Sequence, residues 1–204
     1  MGNMPRVIII QGTPGTGKTT ICRIISKKLN ARHIDISKLV VKEKLYYRTD
    51  EKRSTTKVTD IKRTRQRLME IIKDTTKPLI IEGHYADIVP SSHISKVIIL
   101  RLHPRILERR LRRRGWPEDK IKENVMAEAL DQCLISAIRA YGEDKIIEID
   151  LTNKGIKNSI EEVMNAIEGR ISPNIGKINW FKELEKEGEL EKFLKEYSSA
   201  KTQE

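Results

Sequence analysis

Residues 12–19 read Gly-Thr-Pro-Gly-Thr-Gly-Lys-Thr and fill every position of the pattern G-x-x-x-x-G-K-[ST]. The run follows an apolar stretch directly and precedes one with helical spacing, the setting in which this pattern cradles phosphate. Gly12, Gly15 and Gly17 let the backbone turn so that successive N–H groups point inward at phosphate oxygens. A helix beginning near Lys18 adds the positive end of its dipole. Lys18 is then in reach of β and γ phosphates, and the Thr19 hydroxyl is a ligand for Mg²⁺.

A triphosphate held in this way needs a further group on the metal side, normally an acid at the end of another buried strand. Residues 78–82, Pro-Leu-Ile-Ile-Glu, supply Glu82, and Gly83 and His84 follow it. Glu82 is the candidate to hold Mg²⁺ through water, and His84 the candidate to order the attacking or acceptor oxygen. A third source of charge is the segment 101–116, with seven arginines against the single acid Glu108. Steps of 100° put Arg105, Arg109 and Arg112 on one helix face, with Leu107 and Leu111 roughly opposite. Arg105 and Arg112 read as a solvated basic face. Arg114 differs, because it stands just before Gly115-Trp116-Pro117, a turn between two helices that can bring a guanidinium onto a transferring phosphoryl group.

These residues need a sheet to hold them. Apolar runs of four to six residues alternate with longer stretches of helical spacing, the signature of βαβ units. Strands are predicted at 6–11, 33–36, 78–82, 97–102 and 145–149. The runs Val7 to Ile10 and Val97 to Leu100 are continuous rather than alternating, as in parallel strands covered on both faces. Helices are predicted at 18–29, 38–47, 60–73, 104–114, 117–140 and 156–171, with a last amphipathic helix at 180–197. The expected architecture is a three-layer α/β fold around a parallel five-stranded sheet, with residues 1–171 as the main domain and 172–204 as a C-terminal helical extension.

Composition narrows the class. The chain has 204 residues and a formal net charge of +11. The first 170 residues hold 34 Lys and Arg against 22 Asp and Glu, so the basic excess lies in the body and the tail is balanced. Anionic partners are implied, nucleotide phosphates or RNA. With aromatics at 4%, stacking on single-stranded RNA is a weaker expectation than contact with a phosphate backbone. The two cysteines, Cys22 and Cys133, are too few for a four-thiolate zinc site or a disulfide scaffold. No apolar run approaches a membrane span and the N-terminal one is too short for a secretory core, which leads to the expectation of a soluble cytoplasmic protein without membrane contact.

Taken together, the phosphate loop, the Glu82-Gly83-His84 segment and Leu107-Glu108-Arg109-Arg110-Leu111 leading to Arg114-Gly115-Trp116 resemble the adenylate kinase isoenzyme 6 family, small adenylate kinases and ATPases linked to small ribosomal subunit assembly. The resemblance covers roughly residues 6–168. It implies a P-loop nucleoside-monophosphate-kinase fold with an acceptor-binding segment near 35–58 and a lid near 113–123. It implies ATP contacts at Gly15, Thr16, Gly17, Lys18, Thr19, Thr20 and Arg114, catalytic roles for Lys18, Glu82, His84 and Arg114, and Mg²⁺ at Thr19 and Glu82. The substrates implied are ATP, ADP and AMP, and the partners a small-subunit ribosomal protein and rRNA. The chain departs from the family at Glu82, where an aspartate is usual, and at Ser37-Lys38-Leu39, where Gly-Asp-Leu is frequent. Two other functions fit the same residues: a kinase for another acceptor, such as a cytidylate or shikimate-like molecule, and an assembly ATPase switched by nucleotide. A basic ribosomal partner would need an acidic or apolar patch, for which the Glu183, Glu185, Glu187, Glu189 and Glu191 series is one candidate.

Overall fold

The computed structural model describes residues 7–50, 56–84 and 88–198. The chain runs β1 (Val7–Gln11), α1 (Lys18–Lys28), β2 (Arg32–Asp35), α2 (Ile36–Lys42), β3 (Tyr46–Asp50), β4 (Thr56–Thr59), α3 (Ile61–Lys73) and β5 (Leu79–Gly83). It continues through β6 (Ile94–Arg101), α4 (Pro104–Arg113), α5 (Glu118–Ala129), α6 (Gln132–Tyr141), β7 (Ile146–Asp150), α7 (Ile156–Glu168), α8 (Trp180–Lys186) and α9 (Leu190–Ser198). All five predicted strands pair in one parallel sheet of order β2-β5-β1-β6-β7.

Continuous apolar runs become strands buried on both faces because alternate residues face opposite layers. Ile8, Ile10, Ile80, Ile98 and Leu100 join the core formed with α1, α4, α5, α7 and the C-terminal helices. Val7, Ile9, Leu79, Ile81, Val97 and Ile99 join the core under α2, α3 and α6. The order also creates a switch point. From central β1 the chain crosses to the edge strand β2, returns to β5 beside β1, and then passes to the other side through β6 and β7, so the connections leaving the carboxyl ends of β1 and β5 diverge there into a crevice.

Three predicted helices take a different form. The helix expected over 38–47 is shorter and earlier. Asp35 caps it by accepting from Lys38 N at 3.1 Å, which draws Ile36 out of the predicted strand. It ends where Lys44 turns left-handed (φ 54°) and Leu45 N returns to Val40 O at 2.9 Å. Tyr46–Asp50 then pairs antiparallel with Thr56–Thr59, a hairpin inside the expected acceptor segment whose residues 51–55 lie outside the described residues. The helix expected over 117–140 divides into α5 and α6 at Asp131, left-handed at φ 56° with its carboxylate drawn onto Arg101. The last helix divides at Gly188, and its two parts fold back on the body, with Trp180, Leu184, Phe193 and Tyr197 buried. No described helix is long and apolar enough to cross a membrane.

Candidate functional site

The phosphate loop leaves β1 at Gln11 and enters α1 at Lys18. Its shape is held by its own backbone: Thr13 O accepts from Thr16 N at 3.2 Å and from Thr16 Oγ1 at 2.9 Å. Gly15 has φ +99°, a region costly for any other residue, and a Cβ there would stand 2.8 Å from Leu107 Cδ1 and 2.9 Å from Leu111 Cδ2. The loop therefore lies directly on α4. Lys18 Nζ is folded back on loop carbonyls, Gly12 O at 2.6 Å and Thr13 O at 3.0 Å, and burial lowers its pKa below the ordinary lysine value.

At the end of β5, Glu82 Oε1 accepts from Thr19 Oγ1 at 2.8 Å. Its Oε2 stands 3.4 Å from His33 Nε2, with Cys22 in the same cluster. Burial alone would raise the Glu82 carboxyl, but contacts from His33, Cys22 and Thr19 outweigh it and hold the pKa at about 2. The group is thus an anion facing a hydroxyl across the start of the cleft. Two hard oxygen donors, one of them ionised, suit Mg²⁺ far better than they suit a soft metal. Burial, and then the Lys18 cation, push His84 down to about 4, so its imidazole is neutral at pH 7.

Of the residues proposed from sequence, Gly15, Gly17, Lys18, Thr19, Thr20, Glu82, His84 and Arg114 line one cleft of about 350 Å³. Thr16 is the exception. Its hydroxyl is turned into the loop, and it borders instead a second cavity of about 380 Å³ with Ile21, Arg110, Leu151 and Ile156. The two cavities share Gly17, Thr20 and Arg114. A third, of about 590 Å³, shares Pro14, His84 and Trp116 with the central cleft and extends to Gln132, Ser136 and Arg139 on α6. A further cavity, about 800 Å³, lies away from the loop between α4 and α9, and most of its charges are paired with one another.

The arginines of α4 divide by partner. Arg105 pairs with Glu108, Glu189 and Glu196, and Arg112 with Glu108 and Glu118, so what reads in sequence as a solvated face is a set of ion pairs. Among the described residues Arg109, Arg110, Arg113 and Arg114 have no carboxylate partner, and of these Arg110, Arg113 and Arg114 line the cavity beside the loop. Arg110 Nη1 donates to Thr16 O at 3.1 Å, and burial followed by the nearby Arg114 charge lowers its pKa. Two neighbouring cations beside a phosphate-type loop without a counter-charge are arranged for an anion.

A protein-family profile described as an AAA domain matches residues 8–131. A protein of Methanocaldococcus jannaschii named "Putative adenylate kinase" is 35% identical over 173 residues, spanning 85% of this chain and 92% of its own. One of the same name from Sulfurisphaera tokodaii is 38% identical over 174 residues, 85% of each chain. The chain belongs to this adenylate kinase-like family. The fold is shared more widely: a shikimate kinase of Bacteroides thetaiotaomicron superposes with a TM-score of 0.52 at 22% identity, covering 80% of this chain and 98% of that one. A thymidylate kinase of Candida albicans gives 0.54 at 17%, covering 82% and 92%.

For this member of the adenylate kinase-like family, sequence reasoning passed over Arg110, His33 and the α6 residues of the third cavity. Arg110 was recoverable, since it stands four residues before Arg114 on the same helix face. His33 and Arg139 carried no signal, because only the pairing of β2 with β5 brings His33 to Glu82 and only the break at Asp131 brings Arg139 to the third cavity.

Proposed function

We propose that the chain is a Mg²⁺-dependent nucleoside-monophosphate kinase that moves the γ-phosphoryl group of ATP to AMP, giving two ADP, and to water when the acceptor site is empty. The row of three adjoining cavities carries this reading. Phosphoryl transfer brings attacking and leaving oxygens roughly into line, which requires donor and acceptor on opposite sides of the transferred group. The cavity beside Arg110, Leu151 and Ile156 suits the donor base, the central cleft its phosphates, and the cavity toward Gln132 and Arg139 an anionic acceptor, with His84 at the junction of the last two.

Each residue then has a task. Lys18 swings from the loop carbonyls to the β and γ phosphates, exchanging two neutral acceptors for anionic ones. Arg114 and Arg110 neutralise charge on the triphosphate from the α4 side. Thr19 and Glu82 supply the oxygens that hold Mg²⁺, which when bound neutralises charge on the β and γ phosphates. A neutral His84 offers one N–H and one lone pair, so it donates toward an acceptor phosphate and accepts from an attacking water.

The test follows ADP and free phosphate separately from ATP alone and from ATP with AMP, CMP or shikimate. AMP-dependent ADP formation without matching phosphate release is expected. Phosphate release indifferent to every acceptor refutes the kinase reading in favour of an assembly ATPase, and stimulation by CMP or shikimate alone reassigns the acceptor. The isoenzyme 6 resemblance adds a role in small-subunit assembly. The basic body supports contact with rRNA phosphates, whereas Glu187 and Glu189 are engaged with His103 and Arg105 and do not form a free acidic strip. Nucleotide-dependent capture of a small-subunit ribosomal protein is the result that role requires.

A further inference from the structure

Beneath the phosphate loop runs a buried chain of polar contacts that the transfer reaction does not use. Thr13, 1% exposed, donates its hydroxyl to Glu128 Oε2 at 2.5 Å. Glu128, 2% exposed on the last turn of α5, accepts at Oε1 from Trp180 Nε1 at 3.0 Å, Arg101 Nε at 2.9 Å and Leu102 N at 3.2 Å. Arg101 is held in turn by Glu148 and Asp131, and Glu148 Oε2 accepts from Gly176 N at 2.7 Å. Thr13 is also the residue whose carbonyl receives Lys18 and Thr16. One carboxylate therefore connects the C-terminal segment, through Trp180, to the loop that carries Lys18.

A second route reaches the other side of the loop. Gly15 rests on Leu107 and Leu111, and these share a core cluster with Phe193 and Tyr197 of α9. Arg105 lies over the Phe193 ring at 5.3 Å and pairs with Glu189 and Glu196, fixing α9 along α4. A carboxylate as deeply buried as Glu128 is tolerated only where cation and donors use its lone pairs, and here two of those donors are Thr13 and Trp180.

We propose that Glu128 and Trp180 are positioning residues for the phosphate loop, and that the C-terminal segment thereby sets the affinity for nucleotide phosphates. The proposal rests on the phosphate-loop reading above. A loop already held in its binding shape loses little freedom when nucleotide arrives, so releasing it weakens binding in every molecule rather than reducing the number of molecules that bind.

Calorimetric titration of the full chain with MgADP separates these outcomes, because it reports dissociation constant and stoichiometry independently and needs no acceptor. Wild-type protein that fails to bind MgADP overturns the phosphate-loop reading and this proposal together; binding by wild type leaves the variants to test the brace alone. Trp180→Phe keeps an aromatic ring at a buried position against His103 and removes the indole N–H together with part of the ring's volume. It is expected to weaken binding about five-fold, the net worth of one hydrogen bond, at unchanged stoichiometry. Thr13→Val is expected to weaken it at least as much and Thr13→Ser to retain wild-type affinity. The double variant Thr13→Val/Trp180→Phe should bind no more weakly than Thr13→Val, since both cut one chain. A wild-type dissociation constant for Trp180→Phe, a fall in stoichiometry alone, or multiplying effects in the double variant would overturn the proposal.

Discussion

Replacing Gly15 by alanine tests whether the phosphate loop is shaped by its contact with α4 or by its own backbone alone. Gly15 and Gly17 share a positive φ, +99° and +111°, so an alanine at either carries a similar backbone penalty, about 1–2 kcal/mol. Their surroundings differ. A Cβ on Gly17 finds its nearest atom, Arg110 Nη1, at 4.0 Å, whereas one on Gly15 meets Leu107 Cδ1 at 2.8 Å and Leu111 Cδ2 at 2.9 Å. Relieving those two contacts requires the leucine ends, which are buried, or the helix to retreat by several tenths of an ångström, at the cost of overpacking, about 1–3 kcal/mol. Gly15→Ala should thus be less stable than Gly17→Ala by about 1–3 kcal/mol, or roughly 3–10 °C in thermal midpoint for a chain of this size. Scanning calorimetry without nucleotide measures the difference. A cycle with Leu111→Ala adds a sign: opening space at Leu111 should return part of the Gly15→Ala loss, giving a favourable coupling of about 1 kcal/mol or more. Equal midpoints for the two glycine variants, or strictly additive effects in the cycle, would refute the claim that α4 sets the loop.

Lys18→Ala should abolish phosphoryl transfer while moving the thermal midpoint by no more than about 2 °C, since the ammonium is buried against carbonyls at some cost in the folded chain. Arg114→Ala should lower kcat by about ten-fold or more with a smaller change in ATP affinity, while Arg105→Ala should instead lower the thermal midpoint, because its partners are Glu189 and Glu196 rather than substrate. The Glu82 pKa lies at about 2, below its ordinary 4.5, so the stability this carboxylate gives is full above pH 4.5 and lost as pH falls toward 2. Denaturant titrations of Glu82→Gln between pH 7 and pH 3 should therefore show a shallower loss than wild type, and the same variant should need more Mg²⁺ for turnover.

The sequence by itself determined the elements that depend on neighbours in the chain. Eight consecutive residues define the phosphate loop, and a run such as Val7 to Ile10, short, β-branched and followed directly by that glycine-rich loop, reads as a parallel strand covered on both faces, so loop, sheet and the placement of Lys18 and Thr19 were legible. Glu82, His84 and Arg114 were legible as the ends of elements that point into the same crevice, which the sheet order then joined in one cleft. Helix lengths were less so. The left-handed residues Lys44 and Asp131 are not glycines, and Asp131 is drawn onto Arg101, a partner thirty residues away. What only the tertiary structure decided was how the charges pair. In sequence, the seven arginines between Arg101 and Trp116 differ only by helix face and by the place of Arg114 at the turn. In the fold Arg101 is buried under three carboxylates, Arg105 and Arg112 are paired with glutamates, and Arg110, Arg113 and Arg114 line a cavity beside the loop. The physical reason is range: helical and strand periodicity are written in neighbours a few residues apart, whereas an ion pair such as Arg105 with Glu196 forms only after the core has brought α9 onto α4.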